Sequence, residues 1–232
     1  MRGKLIVIEG SDGSGKATQT QLLKKYCSTH KISTKSITFP QYTNTFFGKT
    51  IARFLRGEMG ELAQINPYLI SMVYAMDRAE AKDKMYKWLN DGKIIILDRY
   101  VTSNMAHQTG RLPAREQKKF LKWIDELEYR VNNVPREHIV IYLYVPYKVS
   151  LKLMENKDRA GRKHLKGKGK DMVEGNIEYL KKAEKTYLKL SKRYNHWVKI
   201  DCVDSVGKMK AREEIHKDIV SALEKRDIIS VK

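Results

Sequence analysis

Cysteine is scarce in this chain, with two in 232 residues. Cys27 and Cys202 lack metal-ligand spacing and are too few for a disulfide framework in a chain this long, so both read as reduced, structural thiols. No apolar run approaches the roughly 20 residues that a membrane-spanning helix needs. The basic start leads into an apolar run that Glu9 and a glycine loop cut short of a signal-peptide core, so cytoplasmic residence is expected. The histidines form no catalytic cluster: His30, His138, His164, His196 and His216 are scattered, and only His107 falls near the site inferred below. Internal repeats are also absent. Acidic residues are few beside basic ones, 27 against 46, which leaves a formal charge of +19. Such a field attracts polyanions, whether nucleoside phosphates or nucleic acid, although a lysine-rich solvated surface accounts for the excess equally well.

What is present is an alternation of strands and helices. Hydrophobic residues at 41% and charged residues at 31% describe an ordinary folded chain. Short β-branched runs at 5–9, 35–39, 94–98, 139–145 and 197–201 are separated by helical stretches at 15–30, 46–57, 67–90, 102–107, 114–132, 148–155, 174–194 and 206–225. The runs at 94–97 and 139–143 are almost continuously apolar, as strands covered on both faces of a parallel sheet must be. This pattern predicts a wound α/β fold of one domain, 1–232. The one compositional anomaly, 157–170, is a run of Lys, Arg and Gly between normal helices, read as a basic loop.

The segment Gly10-Ser11-Asp12-Gly13-Ser14-Gly15-Lys16 follows the first strand and opens the first helix, the context a Walker A loop requires. Glycines let successive backbone N–H groups converge on phosphate oxygens, and the helix N-terminus adds partial positive charge. Lys16 would reach the β- and γ-phosphates of a nucleotide. The pattern departs once: the residue after Lys16, usually a hydroxyl that meets Mg²⁺, is Ala17, and Thr18 comes one place late. Residues 10–18 are therefore expected to bind ATP, with Mg²⁺ held by phosphates, water and an acid elsewhere.

Asp98-Arg99-Tyr100 ends the strand at 94–98, at the carboxyl edge where open parallel sheets bind ligands. Asp98 is placed as the metal-binding acid and Arg99 as a bidentate phosphate clamp. In the basic run, Arg159 and Arg162, with Lys163 beside them, are candidates for a lid at about 155–173 that neutralises charge during transfer.

These residues resemble the thymidylate kinase family, and the likeness runs over nearly the whole chain. It rests on Glu9-Gly10-Ser11-Asp12 with the loop glycines and Lys16, on Phe39-Pro40 with Gly48 downstream, on Tyr74-Ala75-Met76-Asp77-Arg78, and on Asp98-Arg99-Tyr100 followed by Ser103-Asn104 and Gln108. The resemblance implies a P-loop NTPase fold, a three-layer α/β/α sandwich with a five-stranded parallel sheet and a basic lid segment, and a homodimer. It also implies that Asp12 meets the acceptor sugar's 3′-hydroxyl, Tyr74 stacks on thymine and Arg78 bonds its carbonyl edge. Arg99 would grip the 5′-phosphate, Ser103, Asn104 and Gln108 would line base and sugar, and Phe39 would form an apolar wall. Besides Ala17, the chain departs at Tyr42, where eukaryotic members carry arginine, and at His107, often aromatic in relatives.

The expected reaction is transfer of the ATP γ-phosphoryl to dTMP, giving dTDP and ADP, in dTTP synthesis. The alternatives are a kinase for another nucleoside monophosphate or for a deoxynucleoside, and a nucleic-acid-binding protein with a relic loop. Arg78 and Arg99 favour an anionic acceptor over the second. No nucleic-acid-binding signature supports the third, so no specific nucleic-acid partner and no membrane are expected.

Overall fold

The computed structural model describes residues 3–155 and 176–230. Five strands, β1 (Leu5–Gly10), β2 (Thr34–Thr38), β3 (Ile94–Asp98), β4 (Ile139–Tyr144) and β5 (Trp197–Asp201), form one sheet in the order β2-β3-β1-β4-β5. Every pairing is parallel, with Val7 opposite both Leu97 and Val140. All carboxyl ends therefore lie on one edge. β1 sits at the centre, where the chain's winding reverses between β3 and β4 and leaves a crevice for ligands.

Strand periodicity divides the core into two layers. Leu5 and Val7 of β1 join Leu97, Val140 and Tyr142 on one face, packed against Met85, Val101, Phe120 and Tyr187. Ile6 and Ile8 join Ile96, Ile141 and Leu143 on the other, against Leu23, Cys27, Ile215 and Ile219. Because both faces are covered, the central strands bury every residue, which explains their unbroken apolar sequence. Both cysteines are free and buried, and burial pushes the Cys27 thiol up to about 11 and the Cys202 thiol up to about 12. Among the described residues no helix is long and apolar enough to cross a membrane.

The helices are α1 (Lys16–Thr29), α2 (Phe46–Leu55), α3 (Pro67–Ala79), α4 (Lys82–Asn90), α5 (Val101–His107), α6 (Ala114–Asp125), α7 (Tyr147–Glu155), α8 (Ile177–Arg193) and α9 (Arg212–Lys225). Local chemistry sets several starts: Thr45 caps α2 through Gly48 N–H, Asn66 caps α3 ahead of Pro67, and Asn176 caps α8. Three expected helices differ. The one at 67–90 breaks at Glu80 and Ala81, because α3 packs on α2 while α4 packs on β3. The one at 114–132 is α-helical only to Asp125 and then widens into a π-helical turn, Glu126–Val131. The one at 206–225 begins at Arg212, since Gly207 is left-handed at φ 80° and Asp204 folds the preceding loop by accepting from the N–H groups of Val206 and Lys208. Residues 156–175, which hold most of the expected lid and the start of the helix placed at 174, lie outside the described residues.

Candidate active site

The glycine loop links the central strand to α1. Gly10, Gly13 and Gly15 all have positive φ. At Gly10 a side chain is also excluded by space, since a Cβ would lie 2.5 Å from Ser14 Oγ and 2.7 Å from Leu143 O. Lys16 is buried and donates to the carbonyls of Gly10 at 3.1 Å and Ser11 at 2.8 Å, with Asp12 Oδ1 at 3.6 Å. Burial, then Arg99, lowers its ammonium from the usual lysine value, against the pull of Asp12, Asp98 and Glu9. Ser11 and Ser14 keep buried hydroxyls that have no hydrogen-bond partner among the described residues. The glycine cradle, those hydroxyls and the lysine fit the phosphates of a nucleotide. Ala17 and Thr18 stand exposed on the first turn of α1. Asp98 is buried near Lys16, and its carboxyl is raised by burial against the pull of Lys16 and Arg99. Among the described residues no three His, Cys, Asp or Glu side chains gather into a metal site. This donor set fits a cation carried in by phosphates, with Asp98 beside it, better than a metal held by protein alone.

Arg99 follows β3 in the left-handed region at φ 67°, unusual for a residue with a side chain and typical of functional sites. Its N–H bonds Ile8 O at 3.1 Å, which ties the turn to the central strand. From there Nη2 reaches Asp12 Oδ1 at 2.7 Å, and Nη1 reaches Ser103 Oγ at 3.3 Å and His107 Nε2 at 3.4 Å. Burial alone would raise the Asp12 carboxyl, but Arg99 and Lys16 outweigh it and hold the group far below the usual carboxylate range. Glu9 organises this turn from beneath. Fully buried, it accepts from Tyr100 N–H at 3.1 Å, Thr102 Oγ1 at 2.7 Å, Ser103 Oγ at 2.9 Å and Tyr187 Oη at 2.8 Å.

One pocket of about 710 Å³, counting the solvent at its mouth, opens beside this cluster. Asp12, Phe39, Tyr74, Arg78, Arg99, Ser103, Asn104 and Gln108, the acceptor residues named from sequence, all line it. The topology explains the convergence: β1, β3 and the segment after β2 end on one edge, and α3 and α5 cross above it. Asp77 locks the wall by accepting from Gln41 N–H at 2.9 Å and from the Thr45 hydroxyl. His107, Tyr42 and Tyr179 also face the pocket.

Arg78 enters it from α3 with its charge already paired. The side chain is 2% exposed, and Glu128, itself fully buried, accepts from its Nε at 3.0 and 3.1 Å and from its Nη2. Asn104 Nδ2 donates to Ser71 O at 3.1 Å and to Glu128 at 3.4 Å, and Gln108 Oε1 accepts from Arg111 at 2.8 Å. Glu128, Tyr179 and Tyr187 escaped the sequence reading. Glu128 lies on the π-helical turn, where i to i+4 periodicity misassigns its direction. Glu9 was visible within its motif but not as the hub it proves to be. Arg159 and Arg162 lie outside the described residues.

A sequence profile described as thymidylate kinase matches residues 8–219. A probable thymidylate kinase of Thermococcus onnurineus is 33% identical over 224 residues, covering 94% of this chain and 96% of its own. One from Pyrococcus abyssi is 30% identical over 233 residues, with both chains covered completely. Mycobacterium tuberculosis thymidylate kinase is 29% identical over 187 residues, covering 81% of this chain and 85% of its own. In fold, the structure is similar to that of thymidylate kinase from Candida albicans, with a TM-score of 0.73 at 22% identity over 98% of this chain and 93% of the other. With a glycine loop on the central strand, an arginine turn beside it and the motif residues gathered in one pocket, the chain belongs to the thymidylate kinase family.

Proposed function

We propose that the chain transfers the γ-phosphoryl of ATP to dTMP, giving dTDP and ADP as a step towards dTTP, and that its residues divide the work as follows. The loop N–H groups of residues 10–18 and Lys16 hold the donor phosphates. Arg99 holds the acceptor 5′-phosphate, and Asp12, bonded to Arg99, keeps lone pairs for the acceptor's 3′-hydroxyl. Tyr74 stacks on the base, Arg78 meets its carbonyl edge, and Ser103, Asn104, Gln108 and Phe39 complete the wall. Asp98, with the donor phosphates, would hold Mg²⁺, which would supply charge neutralisation on the donor. With an acceptor that is already an anion, catalysis reduces to alignment and charge stabilisation. The observation that carries this reading is Arg99, fixed at φ 67° with Nη2 on Asp12 and lining the acceptor pocket.

The same proposal includes a homodimer. Leu69, Met72 and Met76, at 58%, 38% and 37% exposure, lie at i, i+3 and i+7 on one face of α3, and Phe46 at 72% stands on the adjoining α2. This apolar stripe suits a second copy of the chain. We place the enzyme in the cytoplasm, a compartment in keeping with two buried free thiols. A coupled ADP-release assay with dTMP, dUMP, UMP, CMP, AMP, GMP and thymidine tests the reaction. Phosphorylation of dTMP well above the others is expected, and preference for thymidine or a purine monophosphate would refute the assignment.

A further inference from the structure

His107 stands where Arg99, the acceptor pocket and the back of the phosphate loop meet. Its Nε2 is 3.4 Å from Arg99 Nη1. A guanidinium can only donate, so Nε2 must be the unprotonated acceptor, and the ring is then the Nδ1–H tautomer. That leaves Nδ1–H as a buried donor with no partner among the described residues. The ring is clamped by Tyr179, stacked at 5.6 Å, and by Tyr187, edge-on at 5.4 Å, so it does not turn freely to find one.

On its far side His107 lines a second, mostly apolar cavity of about 20 Å³, shared with Ser11, Tyr147, Ser150, Ala183 and Tyr187. Ser11 Oγ is likewise buried and without a partner among the described residues. A cavity needs roughly 10–15 Å³ by this measure, and at least two polar contacts, to hold one water. The volume suffices, and His107 and Ser11 both line the cavity.

We propose that His107 is a positioning residue for Arg99: its Nε2 accepts from the guanidinium, while its Nδ1–H donates to a single water that also bonds Ser11 Oγ, tying the acceptor-phosphate arginine to the donor loop. This rests on the reading of Arg99 as the acceptor-phosphate grip. It gives the histidine a task that an aromatic side chain without ring nitrogens does not perform. The charged groups around the ring are Arg99, Asp12 and Lys16, and Glu184 borders the cavity. Burial, with the two cations, keeps the ring neutral.

The first test uses the unmodified protein. Imidazole ¹⁵N spectra should show His107 as the Nδ1–H tautomer, slow to exchange and unchanged from about pH 5 to about pH 8. The Nε2–H tautomer, or titration near the ordinary histidine value, overturns the proposal. A high-resolution crystal structure should place one water between Nδ1 and Ser11 Oγ, and a dry cavity removes the link to the loop. For function, His107→Phe should raise the dTMP KM about tenfold and leave the ATP KM unchanged, whereas His107→Gln, which keeps an acceptor near Nε2, should stay within a few-fold of wild type. A Phe variant with normal dTMP KM, or a Gln variant as impaired as Phe, overturns the positioning role. Should the Phe variant fail to fold, the spectra of the unmodified protein still decide. Arg99→Ala separates the underlying reading: if it leaves the dTMP KM unchanged, the assignment of Arg99 fails, while the tautomer and the water stand or fall on their own measurements.

Discussion

Glu128 and Arg78, fifty residues apart in sequence, form a buried forked ion pair on the wall of the pocket beside Arg99. Burial opposes the arginine's charge, and Glu128 more than restores it, raising its pKa above the usual arginine value. The carboxylate also accepts from Asn104, so one acid sets two pocket side chains. Removing one partner strands a charge in a dry site, which typically costs about 3–5 kcal/mol. Glu128→Ala should therefore lower the melting temperature by on the order of 10 °C and weaken dTMP binding. Calorimetry and dTMP titration check it, and an unchanged melting temperature would show that the pair contributes nothing.

Lys16→Ala should leave the fold intact and collapse turnover. The side chain's hydrogen bonds are to the carbonyls of Gly10, the last residue of β1, and Ser11, outside the core layers of the sheet. Loss of a charge-stabilising donor commonly costs about 10²- to 10³-fold in kcat. Circular dichroism should superpose on wild type while ADP release falls by that order. Normal turnover would contradict the assigned role of the loop.

Stability should fall in mild acid through His107. Its folded pKa lies at about 3, below the ordinary 6.5, because burial and Arg99 disfavour the charged ring. The unfolded chain therefore binds a proton that the folded chain refuses. The contribution is fully present above about pH 6.5 and is lost as pH falls towards about 3, with a slope of up to about 1.4 kcal/mol per pH unit. Urea melts of wild type and His107→Phe across this window should show a shallower slope in the variant. Equal slopes would mean that His107 titrates alike in both states.

The exposed stripe on α3 predicts a self-association that charge can break. Leu69→Glu with Met72→Glu replaces apolar surface on the solvent side of the helix, where little of the monomer core is disturbed. Sedimentation should show wild type as a dimer and the double variant as a monomer of unchanged helicity. A monomeric wild type would refute the dimer.

The parts legible in sequence are those whose chemistry is local. Gly10, Gly13 and Gly15 announce a tight loop, Asp98 and Arg99 mark a strand end, and nearly continuous apolar runs mark strands covered on both faces. Spacing alone did not show the break at Glu80, because every residue there remains in helical conformation and only the packing partner changes between α3 and α4.

The sequence by itself determined the glycine loop, the order of strands along the chain and, through a set of motifs, a group of residues that line one pocket. Only the tertiary structure decided how those residues are held. Glu128 turns inward because a π-helical turn displaces it from α-helical register, Glu9 collects four donors brought by α5, α8 and the turn after β3, and His107 meets Arg99 across the crevice beside β1. Such contacts join groups distant in sequence, and no short-range pattern records them. Their strength comes from shared burial, which exists only once the sheet and its two layers have closed around them.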